Sequence, residues 1–242
     1  MKKLIVLLML VIGLVFLTGC GNNSSDNNEG YTIEVNGPGG NFAGATQFTP
    51  EMLAGQIIYT FDEKNSIWRG VTFTPQGKLR YESMFGIEDD VDYSVLDGKL
   101  VVADNDMNPI IELDVAEPTK WEVTGMDDDG RVWQDTWYLE LKFTSEMLVG
   151  KRYLSTYSYL GESIEEEVFF TQTTLKVYAT DGTLKHSYPY RLENNTIVVA
   201  GDDGEYTLNL MFVDEENRFG IWYVSEVENY ANYSMWTPMG DE

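Results

Sequence analysis

The sequence predicts an all-β protein built from two tandem antiparallel domains. Each is a barrel or small sandwich of roughly eight strands, opened by a short helical turn. Three observations predict this. A segment of about 95 residues occurs twice: Phe48-Thr49-Pro50-Glu51-Met52-Leu53-Ala54-Gly55 returns as Phe143-Thr144-Ser145-Glu146-Met147-Leu148-Val149-Gly150, with six of eight positions identical. Apolar and polar residues alternate with a period of two through most of both copies, the pattern of half-buried antiparallel strands. Turn dipeptides punctuate the alternation at Gln76-Gly77, Asp97-Gly98, Asp129-Gly130, Asp181-Gly182, Asn194-Asn195 and Asp203-Gly204, as in closely spaced hairpins.

Ahead of the repeats, Met1-Lys2-Lys3 is a short positive head and Leu4 to Leu17 an apolar run broken only by Gly13. About 14 apolar residues fall short of the roughly 20 that span a bilayer as a helix, and suit a signal-peptide core. The run ends in Leu17-Thr18-Gly19-Cys20, which resembles the lipobox of bacterial lipoproteins: Leu, two small residues, then Cys. The resemblance implies that residues 1–19 are a signal peptide and that Cys20 is lipidated after cleavage. It places the folded domains in a bacterial cell envelope, outside the cytoplasm, held to the membrane by a lipid anchor. Gly21, where an inner-membrane retention signal would have Asp, implies the outer membrane if the cell is Gram-negative. Residues 20–47 begin with the polar run Asn22 to Gly30, which has no apolar residue to bury and reads as a tether. Tyr31-Thr32-Ile33-Glu34-Val35 alternates like a strand before Gly37-Pro38-Gly39-Gly40 breaks it.

The first β-domain is expected over 48–142 and the second over 143–242. In each opening motif Thr49 or Thr144 is the predicted helix cap, and Pro50 suits the first helical position. Phe48 with Leu53 and Phe143 with Leu148 have the spacing of a hydrophobic staple, so their expected role is to fix how the chain enters the domain. Ile67, Val71 and Phe73 share one strand face, leaving Trp68, Gly70 and Thr72 on the other. Ile111, Leu113 and Val115 share a face, as do Leu208, Leu210 and Phe212. From Ser66 to Asp106 the two copies align at a constant offset of 97, pairing Val71 with Val168, Tyr81 with Tyr178 and Val101-Val102-Ala103 with Val198-Val199-Ala200. The two residues gained by the second copy fall between Gly150 and Ser163, where a loop is expected. Trp137 runs almost directly into Phe143, so the two domains have hardly any linker. A fragment of 48–142 is expected to fold alone unless the two copies share one core.

A helical turn, a Gly and about eight up-and-down strands in ~95 residues resemble the compact lipocalin-like domains of bacterial lipoproteins. Lipocalins carry Gly-x-Trp at the first strand. Here Gly150-Lys151-Arg152-Tyr153 and Gly55-Gln56-Ile57-Ile58 stand in its place, with Arg131 near the last strand of the first copy. The resemblance implies a barrel fold and a binding site for a small apolar ligand in its mouth or lumen.

Composition excludes several activities. Lys+Arg number 16 and Asp+Glu 40, a net charge of −24; losing Lys2 and Lys3 with the leader leaves 14 against 40, or −26. Such a surface repels nucleic acid and anionic lipid. One Cys and one His, His186, rule out an intrachain disulfide and Cys- or His-rich metal sites. No G-x-S-x-G nucleophile elbow occurs, so a non-enzymatic binding module without cofactor is expected. The alternative is a structural or protein- or carbohydrate-interaction module of the envelope, with filled barrel cores. His186 reads as a solvated strand residue. Asp104-Asn105-Asp106-Met107-Asn108 suggests a calcium loop, but Pro109 and Val115 stand where such a loop has Gly and Glu. Asp127-Asp128-Asp129-Gly130 and Asp202-Asp203-Gly204 read as solvated turns.

The speculative ligand-binding residues are Arg69, Asp135 and Glu166. Arg69 shares the inward face of Ile67, Val71 and Phe73, and Glu166 is its counterpart in the second copy. A buried charge requires a partner, and Asp135, between Trp133 and Trp137, is the expected partner of Arg69. The competing expectation is that Arg69 receives the carboxylate of an apolar anion such as a fatty acid. Asp135 has Ser234 as its counterpart, which cannot neutralise Glu166, so Glu166 is expected near a solvated rim. Trp133 and Trp137 are expected in a core cluster and Trp68 on the outer surface.

Overall fold

A computed structural model describes residues 34–35, 42–62, 67–103, 109–159 and 162–240. It contains two closed eight-stranded antiparallel barrels in tandem. The first is opened by the helical turn α1 (Pro50–Leu53) and runs through β1 (Ile57–Asp62), β2 (Ile67–Phe73), β3 (Lys78–Ser83), β4 (Gly86–Leu96), β5 (Lys99–Ala103), β6 (Ile110–Ala116), β7 (Lys120–Met126) and β8 (Val132–Leu139). The second is opened by α2 (Ser145–Leu148), with β9 (Arg152–Tyr159), β10 (Glu162–Phe170), β11 (Thr174–Ala179), β12 (Leu184–Glu193), β13 (Thr196–Ala200), β14 (Glu205–Val213), β15 (Phe219–Ser225) and β16 (Tyr230–Pro238). Each strand pairs with its sequence neighbours. Closure comes from β1 on β8, with Ile58 opposite Leu139, and from β9 on β16, with Ser155 opposite Trp236. Closure leaves no unpaired sheet edge. Cys20 and the loop Asp104–Asn108 lie outside the described residues.

The helical turns do more than guide the chain. Phe48, Met52 and Leu53 are at most 2% exposed and belong to the core of the first barrel, and Phe143, Met147 and Leu148 are equally buried in the second. Each turn is therefore a plug that seals one barrel end, which corrects the expectation of a guiding role. Phe48 packs against Trp121 and Trp137, and Phe143 against Trp236. Thr49 caps α1 by accepting from Met52 N, whereas Thr144 makes no side-chain cap bond. Gly55 and Gly150 end the turns at φ +84° and +81°, a left-handed conformation that costs a residue with Cβ.

The duplication extends to irregularities. The β3–β4 ladder shifts register between Leu79 and Tyr81, and β11–β12 between Val177 and Tyr178; β6–β7 shifts between Leu113 and Val115, and β14–β15 between Leu210 and Phe212. A bulge reverses the facing of whatever follows it. Hence Val115 is exposed and Ala116 buried, and Phe212 leaves the lumen for the outer wall. The faces expected from unbroken alternation hold up to Leu113 and Leu210 and fail beyond them.

Where the two barrels meet, their outer walls bury a separate cluster of Tyr59, Met211, Trp222, Val224 and Ala231, flanked by Trp68, Tyr138, Phe212 and Tyr233. Trp68 does point out of its barrel, but onto the second one: it stacks on Tyr233 at 5.3 Å and touches Phe212 at 5.8 Å. Tyr59 meets Trp222 at 5.9 Å. Trp222 Nε1 donates to Glu82 Oε2 at 2.9 Å, Leu141 N to Leu210 O at 2.7 Å and Ile87 N to Asn229 Oδ1 at 3.0 Å, with Arg80 paired to Glu226 at the margin. The lumens are separate cores, yet a third core lies between them. A 48–142 fragment would present Tyr59, Trp68 and Tyr138 to water.

Burial raises the Glu82 carboxyl above the usual carboxylate range, against the lowering effect of its bonds to Trp222 and Arg80. An acid whose pKa rises on folding holds its proton more tightly in the folded state, so ionisation there weakens the fold. The Glu82 penalty is absent below the ordinary Glu value and grows as pH climbs from that value through the raised one. Urea unfolding of wild type and Glu82→Gln should therefore differ increasingly in favour of the Gln protein between pH 4 and pH 7. A difference independent of pH would refute this.

Candidate functional site

Strand register allows the two lumens to be compared position by position. In the first barrel Thr60 faces Arg69, Val123 faces Asp135 and Gly125 faces Trp133. The matching pairs in the second are Ser155 with Glu166, Ile221 with Ser234, and Tyr223 with Asn232. The first lumen thus holds an indole and a carboxylate where the second holds a carboxamide and a hydroxyl.

Among the described residues, the larger groups occupy the first lumen. Trp133 lies flat over Gly125, so closely that a Cβ there would be 2.0 Å from the ring, and its Nε1 donates to Asp127 at 2.9 Å. Asp135 accepts from Thr60, from Trp137 Nε1 at 3.1 Å and from Thr136 N at 2.8 Å. Burial nevertheless raises its pKa. Arg69 pairs not with Asp135 but with Asp62, Nη2 to Oδ2 at 2.6 Å. The reason is register: Asp62 lies opposite Ile67 on the adjoining strand, one inward position from Arg69. Trp137 belongs to the core, as expected.

The second barrel keeps a cavity of about 380 Å³ at the end opposite α2. Its floor is apolar, with Val168, Leu175, Val177, Leu208 and Trp236; Tyr157, Tyr188, Tyr206, Tyr223 and Tyr230 form the wall, and Glu166, His186 and Glu228 complete the rim. Ring centroids of Tyr188 and Tyr206, Tyr206 and Tyr223, and Tyr223 and Tyr230 are 6.4, 4.9 and 6.2 Å apart. The tyrosines thus make a continuous aromatic arc across β12, β14, β15 and β16. The acids are tied to it: Tyr157 OH donates to Glu166 Oε2 at 3.2 Å and Tyr223 OH to Glu228 Oε2 at 3.3 Å. The Tyr188 hydroxyl lies 2.8 Å from His186 Nδ1 and 3.4 Å from Asp202. Burial, reinforced by Glu166, pushes the Tyr157 phenol up to about 12. Burial pushes Tyr223 to about 12 and raises Tyr206 as well. All three stay neutral phenols at physiological pH.

Glu166 is the one expected site residue that lines this cavity. Its carboxylate is held by Lys185 at 2.8 Å as well as by Tyr157, while Arg69 and Asp135 belong to the other lumen. His186 is solvated as expected and stacks on Tyr188, its ring 13° from coplanar. The sequence reading did not single out the tyrosines. A signal was present in the exchange of the facing pair Gly125 and Trp133 for Tyr223 and Asn232, which moves the ring from one strand to the next, and of Asp135 for the smaller Ser234.

A wider depression of about 620 Å³ lies outside the second barrel at Ser145, Glu146, Gln172 and Arg191. It is shallow and open, and has no comparable convergence of buried groups. Among the described residues, no three Asp, Glu, His or Cys side chains converge as a metal-binding group. No family model, no curated protein and no solved structure matches the chain.

Proposed function

We propose that this chain is a lipid-anchored protein of a bacterial envelope whose second barrel binds a small amphipathic ligand, while the first, filled barrel is its structural partner. The reading of the leader rests on Leu17-Thr18-Gly19-Cys20 and on the single Cys standing where lipidation requires it. Its polar tether would hold the folded part near the bilayer. The lipocalin-like reading rests on the plugged, up-and-down eight-stranded barrels. The binding reading is carried by one observation: the 380 Å³ cavity, apolar below and hydroxyl-rich above. That is the lining by which small-molecule sites combine burial with orientation, and its volume is at the small end of their range. No catalytic step is proposed.

The test is to fill the cavity. Ser234 lines it, and a leucine there should occupy the void without strain, since filling a true cavity is neutral or stabilising. We expect 1-octanol to quench tryptophan fluorescence saturably in wild type through Trp236, and Ser234→Leu to weaken that binding at least tenfold with the melting temperature kept or raised. Octanol binding equally to both proteins, or to neither, would defeat the reading.

A further inference from the structure

We propose that the cavity of the second barrel selects a small organic cation, its ammonium head caged by the tyrosine arc and its apolar part on the floor. The inference rests on the reading that this cavity is a ligand site, and names the charge of what enters it. Three features of the rim carry it.

The first is aromatic. Tyr188, Tyr206, Tyr223 and Tyr230 form an unbroken series of rings around the upper wall. A cation against ring faces is attracted by their quadrupoles, most strongly where water is displaced, whereas an anion is repelled. The second is electrostatic. Glu166 and Glu228 line the cavity, each within hydrogen-bond reach of a tyrosine hydroxyl, while Asp202 reaches the Tyr188 hydroxyl from a neighbouring depression. A phenol donor leaves the charge of each carboxylate in place. The third is a cation already present: Lys185 sets its ammonium on Glu166 at 2.8 Å, with its side chain 39% exposed. A flexible lysine at the rim is easily displaced, and its position shows that the pocket's carboxylate accepts an ammonium. The net charge of the chain would also draw cations toward the mouth.

An anionic amphiphile fits poorly. Glu166 occupies the place that Arg69 holds in the other barrel, so a fatty-acid carboxylate would meet a like charge. A sugar could stack on the tyrosines and use their hydroxyls, but would gain nothing from the two lining acids as charges.

Three probes with the same tail and different heads separate these cases: octyltrimethylammonium, octanoate and octyl glucoside, each titrated below its aggregation concentration into the protein by calorimetry and by Trp236 quenching. We expect octyltrimethylammonium to bind at least tenfold tighter than octanoate, with octyl glucoside between. Glu166→Gln should weaken the cation five- to tenfold and leave octyl glucoside unchanged, which also shows that the variant is folded. Lys185→Met should tighten the cation by freeing its carboxylate. Octanoate or octyl glucoside binding as tightly as the cation, or indifference of the cation to Glu166→Gln, would overturn the inference while leaving the cavity a ligand site. Failure of all three probes to bind, with octanol also failing, would overturn both readings.

Discussion

Trp222→Ala is expected to cost about 4 kcal/mol of stability, the usual range for deleting a fully buried Trp. Trp222 is 1% exposed, although it lies on the outside of its barrel. It fills the space between the two walls, packs on Tyr59, and gives its indole N–H to Glu82. Removing it leaves a void and deprives a buried carboxylate of a donor. Trp222→Phe, which keeps much of the ring packing but loses the hydrogen bond and part of the ring volume, should cost less, about 2 kcal/mol. A further check comes from Gly70, where a Cβ would lie 2.9 Å from Trp222 Nε1. Gly70→Ala should be harmful in wild type and less so in the Trp222→Ala background, where the 3.1 Å approach to Glu82 Oε2 remains, a coupling that a double-mutant cycle measures. Because this cluster joins the barrels, urea unfolding of Trp222→Ala should also broaden or divide into two transitions. A change under 1 kcal/mol with a single sharp transition would mean that the barrels are stabilised independently.

Much of this fold could be read from residue order, and the failures have specific causes. The repeat, the turn dipeptides and the period of two give sixteen strands because hairpins are local: each strand pairs with its neighbour, and no long-range choice arises until closure. The outward direction of Trp68 was also legible, since alternation fixes it relative to Val71. What alternation could not provide was the bulges. One extra residue after Leu113 and after Leu210 reverses the facing of the strand end, and nothing in those segments marks it. In β1 the outer face is the more apolar one: Ile57, Tyr59 and Phe61 point away from the lumen, and Tyr59 is buried by the other barrel, while Thr60 and Asp62 share the lumen face with Ile58. The partner of Arg69 was misassigned because Asp135 and Asp62 are both acids at inward positions. Only the register of β1 on β2 places Asp62 beside it. The cavity is a matter of volume summed over several strands, and a sequence reveals that only when two copies can be compared.

That comparison leads to the second large expected effect, in the filled barrel. Gly125→Val should destabilise the protein by about 3 kcal/mol, the upper part of the range for overpacking a dense core. The indole of Trp133 rests on the Gly125 backbone, and an added Cβ would lie 2.0, 2.3 and 2.5 Å from its Cζ2, Cε2 and Cη2. Those are ring atoms, not the tip of a flexible chain, so the indole must leave. Leaving forfeits its packing in the barrel mouth and its 2.9 Å bond to Asp127. If this contact is the whole cause, Trp133→Ala should absorb it: Gly125→Val would then cost little more in that background, giving a coupling of about 2 kcal/mol. Equal costs in both backgrounds would place the strain elsewhere in β7. The second barrel has Tyr223 and Asn232 at these two positions; its ring stands on the other strand, packs on Tyr206 and Tyr230, and forms part of the cavity wall. Trp133→Ala alone should therefore give the first barrel a void of its own, read as saturable octanol binding that wild type shows only in the second. Its polar wall would consist of Thr60, Arg69 and Asp135 in place of tyrosines, and the cation preference proposed for the natural cavity should be absent from it.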